Sequence, residues 1–250
     1  MSEPCSRFPN RLLLETMYNV RDLGGFATAN GEVTAFGQFL RSDAPTRLSE
    51  SDLRLFLAFP VRTVIDLRSR DEIDEAPHIL RDHPDVEYVN IPLLGHNLMA
   101  GIAEVEASAS HQTRVDLSDL YIYMLINAKP AIGQVMSRLA SARPGACLFH
   151  CTHGKDRTGI ITALLLMLAG VDDIDIIVNY QVSSTYLKPW FETFIDTVPD
   201  EYRHFLDTRP QNMVLTLEFF HQNYSSVRDY LTACGVTDAE MEMLRRRLLC

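Results

Sequence analysis

The sequence predicts an α/β fold in which helices flank a central, mostly parallel sheet. Short apolar runs at 62–67, 87–92 and 146–149 have the length and pattern of buried strands. Longer segments with helical patterning lie between and after these runs, and several begin or end at Pro, Gly or capping residues. Strands and helices that alternate in this way are typical of a parallel sheet covered by helices.

The elements follow in chain order. Residues 1–18 are predicted to form an N-terminal arm, and residues 19–250 are predicted to form a single domain. Asn30-Gly31 is a hairpin signal, and a short strand over 37–40 precedes a helix that begins near Ser49. Further helices are predicted at 117–128, 130–142, 159–168, 173–187, 189–196, 214–222, 226–234 and 238–249.

Residues 95–112 differ from the rest of the chain because they are small, acidic and poor in large apolar side chains. A long, weakly patterned segment inside a compact domain is usually either a lid over a functional site or disordered. We therefore expect a loop over 95–112, and the sequence leaves open whether this loop closes over a site.

Composition and charge exclude several classes of protein. The formal net charge of −10 at pH 7 excludes a general basic surface for nucleic acid, so an anionic ligand needs a locally positive site. No apolar stretch reaches the ~20 residues that cross a bilayer. The five cysteines show no CxxC or Cys/His metal spacing. We expect a soluble, cytoplasmic protein in a reducing compartment, with no disulfide framework, no metal and no cofactor.

The most informative stretch joins the strand at 146–149 to the helix at 159–168, and its sequence over 150–159 is HCTHGKDRTG. A loop between a strand and a helix presents unpaired N–H groups and the positive end of the helix dipole, which favour a bound anion. Cys151 and Arg157 form a Cys-x5-Arg pair within this loop. The positive environment favours the nucleophilic thiolate, and a guanidinium can hold two phosphate oxygens.

Three motifs in this chain resemble those of the cysteine-dependent protein tyrosine phosphatase superfamily. In its fuller form, HCxxGKDRTG, the loop resembles that of the atypical tyrosine/serine phosphatases of bacteria and fungi, some of which also act on phosphoinositides. The segments NVRDLGG at 19–25 and DLRS at 66–69, with Glu72 following, resemble two further motifs of this group. The resemblance extends from about Asn19 to the C-terminus.

This resemblance implies a phosphomonoester hydrolase that works in two steps. Cys151 attacks phosphorus to form a phosphocysteine, and Arg157 and the loop N–H groups hold the phosphate oxygens. An acid protonates the leaving oxygen and then, as a base, activates water. The resembled group uses the acid at the position of Asp156, and Asp66 is the second candidate. The predicted substrate-binding residues are Arg68 and, within the loop, Thr152, His153, Gly154, Lys155 and Thr158.

Three of these roles have alternatives that the residues leave open. Asp66 ends a predicted strand, so it could transfer a proton, orient Arg157 or Arg68, or only cap the following turn. Lys155 could recognise multiply phosphorylated headgroups such as phosphoinositides, or it could be a solvated side chain. His153 occupies a variable position of the motif and is expected at the surface.

Support for the loop from behind is expected from three residues. His150 precedes the nucleophile in the predicted strand, where its side chain can hydrogen-bond the loop backbone. Arg21 or Asp22 is expected behind the loop, although a salt bridge in a surface turn would explain the same residues. These positions belong to the motifs that carry the resemblance.

The function that the sequence predicts is hydrolysis of phosphotyrosine in proteins, with a dual specificity that includes phosphoserine left open. One alternative is a phosphoinositide or inositol-polyphosphate phosphatase that uses the same thiolate. Another, from a different class, is a binding module for phosphorylated ligands that has lost catalysis, although the presence of both Cys151 and Arg157 disfavours it. Neither a nucleic-acid partner nor a transmembrane segment is predicted.

Overall fold

The structure is a computed structural model of the chain and describes residues 10–108 and 115–250. Its five strands are β1 (Arg21–Asp22), β2 (Phe39–Ser42), β3 (Val61–Asp66), β4 (Glu87–Asn90) and β5 (Ala146–His150). They form one sheet in the order β1-β2-β5-β3-β4. All neighbouring pairs are parallel except β1 and β2, which are antiparallel. The predicted fold class is confirmed.

The central strand of this sheet is β5, and all of its residues are buried. It pairs in parallel with β2 on one side and with β3 on the other. The register places Ser42 and Asp66 beside His150, so the carboxyl ends of three strands meet at one edge. Ligands of open α/β sheets bind at such an edge, and the loop after β5 begins there.

Helices surround the sheet. Within the described residues they are α1 (Glu50–Ala58), α2 (Arg70–Glu75), α3 (Leu98–Ser108), α4 (Leu117–Asn127), α5 (Lys129–Ala140), α6 (Arg157–Ala169), α7 (Asp173–Phe191), α8 (Pro210–Asn223), α9 (Val227–Ala233) and α10 (Asp238–Leu248). Two short 3-10 segments, Ile195–Thr197 and Asp200–Leu206, lie between α7 and α8. None of the described helices is long and apolar enough to cross a membrane.

The helix that follows the loop, α6, is buried along almost its whole length. Its first residue is Arg157, and its remaining side chains are nearly all apolar, as is typical of a helix inside a core. Gly170 ends the helix in the left-handed conformation, with φ of 85°. Because the core encloses α6, its N-terminus holds the preceding loop in a fixed position at the sheet edge.

The prediction of a loop over 95–112 is wrong for residues 98–108, because these residues form α3. Ile102 and Val105 of this helix are buried in the main apolar core. Alanine and glutamate are strong helix formers, so the lack of large apolar residues did not prevent a helix. Residues 109–112 of the predicted loop lie outside the described part of the chain.

Two further expectations are wrong. The separate helix predicted at 189–196 does not form, because α7 continues through Pro189 and ends at Phe191. A proline close to the end of a helix removes only one hydrogen bond and need not break the helix.

Cys250 is disulfide-bonded, although the cysteine spacing indicated no disulfide framework. Disulfide formation depends on which cysteines the fold brings together, and spacing in the sequence does not reveal that.

The described part of the predicted arm packs against the domain. Leu12 and Met17 are buried in the smaller of the two apolar clusters. The Leu12 N–H donates to the Val20 carbonyl at 3.1 Å, and the Thr16 N–H donates to the Asp52 carboxylate at 2.9 Å. The segment that precedes β1 also lies close to the loop after β5, because Thr16 and Tyr18 line a cavity together with Thr152.

Candidate active site

Gly154 lets the loop lie directly against the end of β2. Its φ of 67° is in the left-handed region that favours glycine. A Cβ at this position would collide with the carbonyl oxygen of Ser42. The close approach of these two backbones therefore requires glycine, and it curls the loop at the edge of the sheet.

Cys151, Asp156 and Arg157 line one cavity of about 470 Å³. The predicted residues Thr152, His153 and Lys155 line the same cavity. The rest of the lining is largely apolar and comes from the start of α3, from the two 3-10 segments and from the link between them; its side chains include Leu98, Met99, Val198, Pro199, Tyr202 and Phe205. The structure thus brings most of the predicted loop residues to one concave site.

Arg157 is held by Glu72. Its Nη1 and Nη2 atoms each donate to a different carboxylate oxygen of Glu72, both at 2.6 Å. The Thr152 hydroxyl donates to the same carboxylate at 2.6 Å. Glu72 is in turn positioned by the capping box of α2, in which the Ser69 N–H donates to its Oε2 at 2.9 Å. The Arg157 Nε is buried and has no hydrogen-bond partner among the described residues.

The charges of this pair reinforce each other. Burial alone would raise the pKa of Glu72, but the hydrogen bonds and charge of Arg157 outweigh it and lower this pKa to about 2. Burial alone would lower the pKa of Arg157. The interactions of Arg157 with Glu72 and Cys151 outweigh the effect of burial and raise this pKa. Both side chains are therefore ionised at any pH at which an enzyme would work.

Asp156 is buried, and its Oδ1 accepts two hydrogen bonds. The Tyr121 hydroxyl donates to it at 2.6 Å, and the Lys155 Nζ donates at 2.9 Å. Lys155 also donates to the Phe205 carbonyl at 2.7 Å and is only 1% exposed. The interpretation of Lys155 as a solvated side chain is wrong, and its ammonium is already engaged by two protein oxygens.

Asp66 lies outside the cavity that contains Cys151. It is fully buried and accepts from Arg68 Nε at 3.0 Å and Nη2 at 2.7 Å, and from the Tyr88 hydroxyl at 2.9 Å. Burial favours a higher pKa for Asp66, but His150 and Arg68 outweigh it and lower the pKa below its ordinary value. Of the alternatives predicted for Asp66, these contacts match the orientation of Arg68 and do not support proton transfer to a substrate in the cavity.

Arg68 also lies away from the cavity that contains Cys151. Its Nη1 donates to the Ala76 carbonyl at 2.8 Å. It lines a neighbouring cavity of about 560 Å³. Glu72 and Thr152 line both this cavity and the one that contains Cys151. The structure thus places the predicted substrate-binding arginine beside the site and already paired with Asp66.

The loop is supported from behind through Asn19. Its Nδ2 donates to the carbonyls of His153 and Gly154, both at 3.0 Å. Arg21 donates to both oxygens of Asn19, and its Nη2 donates to the Asn179 carbonyl at 2.7 Å. Arg21 therefore reaches the loop through Asn19.

Asp22 does not contact the loop. It accepts hydrogen bonds from the backbone N–H groups of Gly24 at 2.8 Å and Gly37 at 2.7 Å, so it joins two turns beside the sheet. Burial raises the pKa of Asp22 to about 6. His150 does contact the loop, because its Nδ1 lies 3.0 Å from the Cys151 carbonyl and donates to it.

Arg41 is a functional candidate that sequence reasoning missed. It is fully buried at the end of β2, where its Nη2 donates to the Gly154 carbonyl at 2.7 Å and its Nη1 donates to Asn179 at 2.7 Å. Burial lowers the pKa of Arg41 to about 10, so the side chain is charged at neutral pH. Arg41 and Arg157 both interact electrostatically with Cys151.

His153 does not lie at the surface, although the sequence predicts that it does. It is half-buried, and its ring packs against Trp190 with the centroids 4.8 Å apart and against Phe191 at 5.3 Å. Burial and the nearby cation Lys155 lower the pKa of His153 to about 4. His153 therefore forms a neutral, aromatic part of the cavity wall.

Sequence signals existed for some of the missed residues. Asn19 and Glu72 belong to the segments that resemble family motifs, although nothing in the sequence indicated their contacts. Arg41 follows a predicted strand at the edge where ligands bind, and that position could have been noticed. Tyr121, within the apolar pattern of a predicted helix, gave no signal.

Comparisons with known proteins identify the family of this chain. The family model described as the tyrosine phosphatase family matches residues 12–250. A tyrosine-protein phosphatase of Nostoc commune is 32% identical over 222 residues, covering 84% of this chain and 74% of that protein. The triple specificity protein phosphatase PtpB of Mycobacterium tuberculosis is 26% identical over 274 residues, covering 93% and 96%. The crystal structure of P. aeruginosa TpbA aligns with 19% identity and a TM-score of 0.28, over 61% of this chain and 80% of that one.

The chain belongs to the tyrosine phosphatase family. The resemblance found in the three motifs is thereby confirmed, and so is the predicted class of enzyme, a protein tyrosine phosphatase.

Proposed function

We propose that this protein hydrolyses phosphotyrosine in proteins through a phosphocysteine intermediate. The observation that carries the proposal is that Cys151, Asp156 and Arg157 line a single cavity. They supply a nucleophile, a group that can transfer a proton and a cation for the phosphate oxygens. Membership of the tyrosine phosphatase family supports the same conclusion.

In the first step, the Cys151 sulfur attacks phosphorus, and the bond between phosphorus and the phenolic oxygen breaks. Asp156 donates its proton to that oxygen, so the leaving group departs as a neutral phenol. Arg157 binds the phosphate oxygens through Nε and its remaining N–H groups, while Glu72 keeps the guanidinium in place. Because this orientation exists before substrate binds, the site does not have to reorganise during the reaction.

In the second step, water attacks the phosphorus of the phosphocysteine and gives a proton to the Asp156 carboxylate. The sulfur–phosphorus bond breaks, and the thiolate is regenerated as phosphate leaves. The buried hydroxyl of Thr158 has no hydrogen-bond partner among the described residues. It is available to donate to the sulfur as negative charge returns there.

The apolar wall of the cavity favours an aryl phosphate. Leu98, Met99 and Val198 face the cavity that contains the nucleophile. Burying an aromatic ring against such side chains contributes about 25 cal/mol for each Å² of apolar surface. The short side chain of phosphoserine gains much less, so we expect phosphotyrosine to be preferred.

The phosphoinositide alternative draws its main support in the sequence from Lys155. A second phosphate on an inositol headgroup needs a cation that is free to meet it. Lys155 is buried and donates to Asp156 and to the Phe205 carbonyl, so its contacts do not supply such a cation. Family membership does not separate the two substrates, and direct competition between them tests the preference.

A substrate panel under reducing conditions at mildly acidic pH tests the proposal. Matched peptides that carry phosphotyrosine or phosphoserine, and vesicles that contain a phosphoinositide, would be compared by phosphate release. We expect the phosphotyrosine peptide to have the highest kcat/KM. The Cys151→Ser variant should release no phosphate but retain peptide binding in calorimetry.

Other outcomes contradict the proposal in distinct ways. Faster turnover of the vesicles would support the phosphoinositide alternative. If the wild-type protein binds the phosphotyrosine peptide but releases no phosphate from any substrate, it is a binding module. An active Cys151→Ser variant would rule out the phosphocysteine intermediate.

A further inference from the structure

We propose that Tyr121 is a positioning residue for Asp156, and that it leaves Oδ2 of Asp156 as the oxygen that exchanges the proton with the substrate. This inference rests on the proposed function, because it assigns roles within the same reaction. Tyr121 lies on α4, outside every motif that pointed to the site from the sequence.

The two oxygens of Asp156 have different surroundings. Oδ1 accepts from the Tyr121 hydroxyl at 2.6 Å and from Lys155 Nζ at 2.9 Å. Oδ2 accepts no hydrogen bond from residues 10–108 or 115–250, and Asp156 lines the cavity that contains Cys151. With Oδ1 occupied on the protein side, Oδ2 is the atom available to a leaving oxygen or a water molecule.

The hydroxyl proton of Tyr121 determines the direction of a longer chain of hydrogen bonds. Because Tyr121 has one proton and donates it to Asp156, the Tyr180 hydroxyl must donate to Tyr121, at 2.8 Å. The Nδ2 of Asn212 donates to the Tyr180 oxygen at 3.4 Å. Every donor in this chain therefore points toward the carboxylate, and successive hydrogen bonds of this kind polarise one another.

The side chains that form these successive hydrogen bonds to Asp156 are buried, and they come from three different helices. Tyr121 on α4 and Tyr180 on α7 are fully buried, and Asn212 on α8 is nearly so. Burial raises the pKa of Tyr121 well above its ordinary value, and the negative charge of Asp156 adds to the effect. Tyr121 therefore stays protonated and remains a donor throughout the working pH range.

Tyr121 and Lys155 are the donors that hydrogen-bond Asp156 directly among the described residues. Other titratable or charged groups face it from the loop, α6, β2 and α7; they are Cys151, His153, Arg157, Arg41 and Tyr180. A donor on Oδ1 fixes the orientation of the carboxyl group. Its removal should leave Asp156 less well oriented toward the leaving oxygen.

The Tyr121→Phe variant tests the proposal, because it removes the hydroxyl and keeps the ring. Hydrolysis of phenyl phosphate, whose leaving group needs a proton, would be compared with that of para-nitrophenyl phosphate, which needs it much less. We expect kcat/KM to fall about tenfold for phenyl phosphate and clearly less for para-nitrophenyl phosphate.

Three further variants make the result specific. Tyr123 lies on the same helix, and its hydroxyl donates to the Glu104 carboxylate at 2.7 Å. Tyr123→Phe therefore removes a bond of the same chemistry outside the site and should behave like wild type. Tyr180→Phe keeps the bond between Tyr121 and Asp156 and should show the same dependence on the leaving group, but less of it. Asp156→Asn provides the reference for complete loss of the acid.

Each outcome decides the question. A folded Tyr121→Phe protein that matches Tyr123→Phe on both substrates would overturn the proposal. If thermal unfolding shows that Tyr121→Phe does not fold, the leaving-group dependence of Tyr180→Phe decides in its place. If Asp156→Asn depends on the leaving group while Tyr121→Phe does not, the positioning role alone fails. If the wild-type protein releases no phosphate from either substrate, the proposed function itself fails.

Discussion

Arg157 and Glu72 form a bidentate ion pair in which both guanidinium Nη atoms lie 2.6 Å from the carboxylate oxygens. The Arg157 side chain is 2% exposed and that of Glu72 is 12% exposed, so solvent screens the pair little. The pair connects the first residue of α6 with the capping box of α2. It fixes the plane of the guanidinium that we propose to hold the phosphate.

Replacing Glu72 should therefore impair catalysis. In Glu72→Gln, the amide can accept one hydrogen bond from Arg157 but carries no charge. A hydrogen bond to a charged group contributes about 1.5–3 kcal/mol, so we expect kcat/KM for an aryl phosphate to fall about 10- to 100-fold. The measurement is steady-state phosphate release at the pH optimum of the wild type.

Asp74 on the same helix provides the matched control. Its carboxylate pairs with Arg70 at 3.4 Å, and both side chains are exposed. An exposed pair of this kind contributes little, so Asp74→Asn should retain wild-type activity. Equal activities of the Glu72 and Asp74 variants would show that the ion pair does not orient Arg157 for catalysis.

The same carboxylate should make stability depend on pH. Folding lowers the pKa of Glu72 from its ordinary value of 4.5 to about 2. The resulting stability is fully present above pH 4.5 and is lost as the pH falls toward 2. The contribution is at most about 3 kcal/mol. Denaturant unfolding of wild type and Glu72→Gln between these pH values should show the two free energies of unfolding converging as the pH falls, whereas a constant difference would contradict this assignment.

Gly154 should tolerate no side chain. Gly154→Ala combines a φ of 67° with a collision against the Ser42 carbonyl oxygen. Gly235→Ala isolates the first effect, because its φ is 91° and nothing lies within 4 Å of a Cβ placed there. The control should lose about 1–2 kcal/mol of stability and keep its activity. We expect Gly154→Ala to lose more stability and most of its activity, and equal losses in both variants would mean that the close contact is unimportant.

Asn19 should matter for the shape of the loop. Asn19→Ala leaves the carbonyls of His153 and Gly154 without this donor, and a buried group that loses its partner costs about 1–3 kcal/mol. Activity should fall together with stability. Asn223 makes a similar bond to the Phe219 carbonyl at 2.8 Å, but at an exposed position. Asn223→Ala should change neither quantity, and the comparison uses thermal unfolding and phosphate release from the two variants.

Much of the fold could be predicted because its signals are local. The buried runs that became β3, β4 and β5 carry their pattern within a few residues, and the start of α10 carries its capping box in Thr237 and Glu240. The helix α3 was missed because its signal lies in helix propensity and the pattern of large apolar residues is weak there. Its packing against the rest of the core determines that the segment is ordered as a helix.

The two carboxylates near the loop show why the site could be predicted only in part. The sequence predicts that Asp66 ends a strand at the sheet edge, and parallel pairing brings the ends of β3 and β5 together there. Which acid meets Arg157 depends on the direction of each side chain. Asp66 points to Arg68, and Glu72, on α2, reaches Arg157.

The sequence by itself determined the class of fold and the chemistry of the loop, because the nucleophile, the guanidinium and the proposed acid fall within ten consecutive residues between a buried strand and a buried helix. Only the tertiary structure decided which side chains hold those groups. Glu72, Asn19, Arg41 and Tyr121 are distant from the loop in the chain, and sheet register and helix packing bring them to it. Such contacts depend on how whole elements are arranged, and no short stretch of sequence encodes that arrangement.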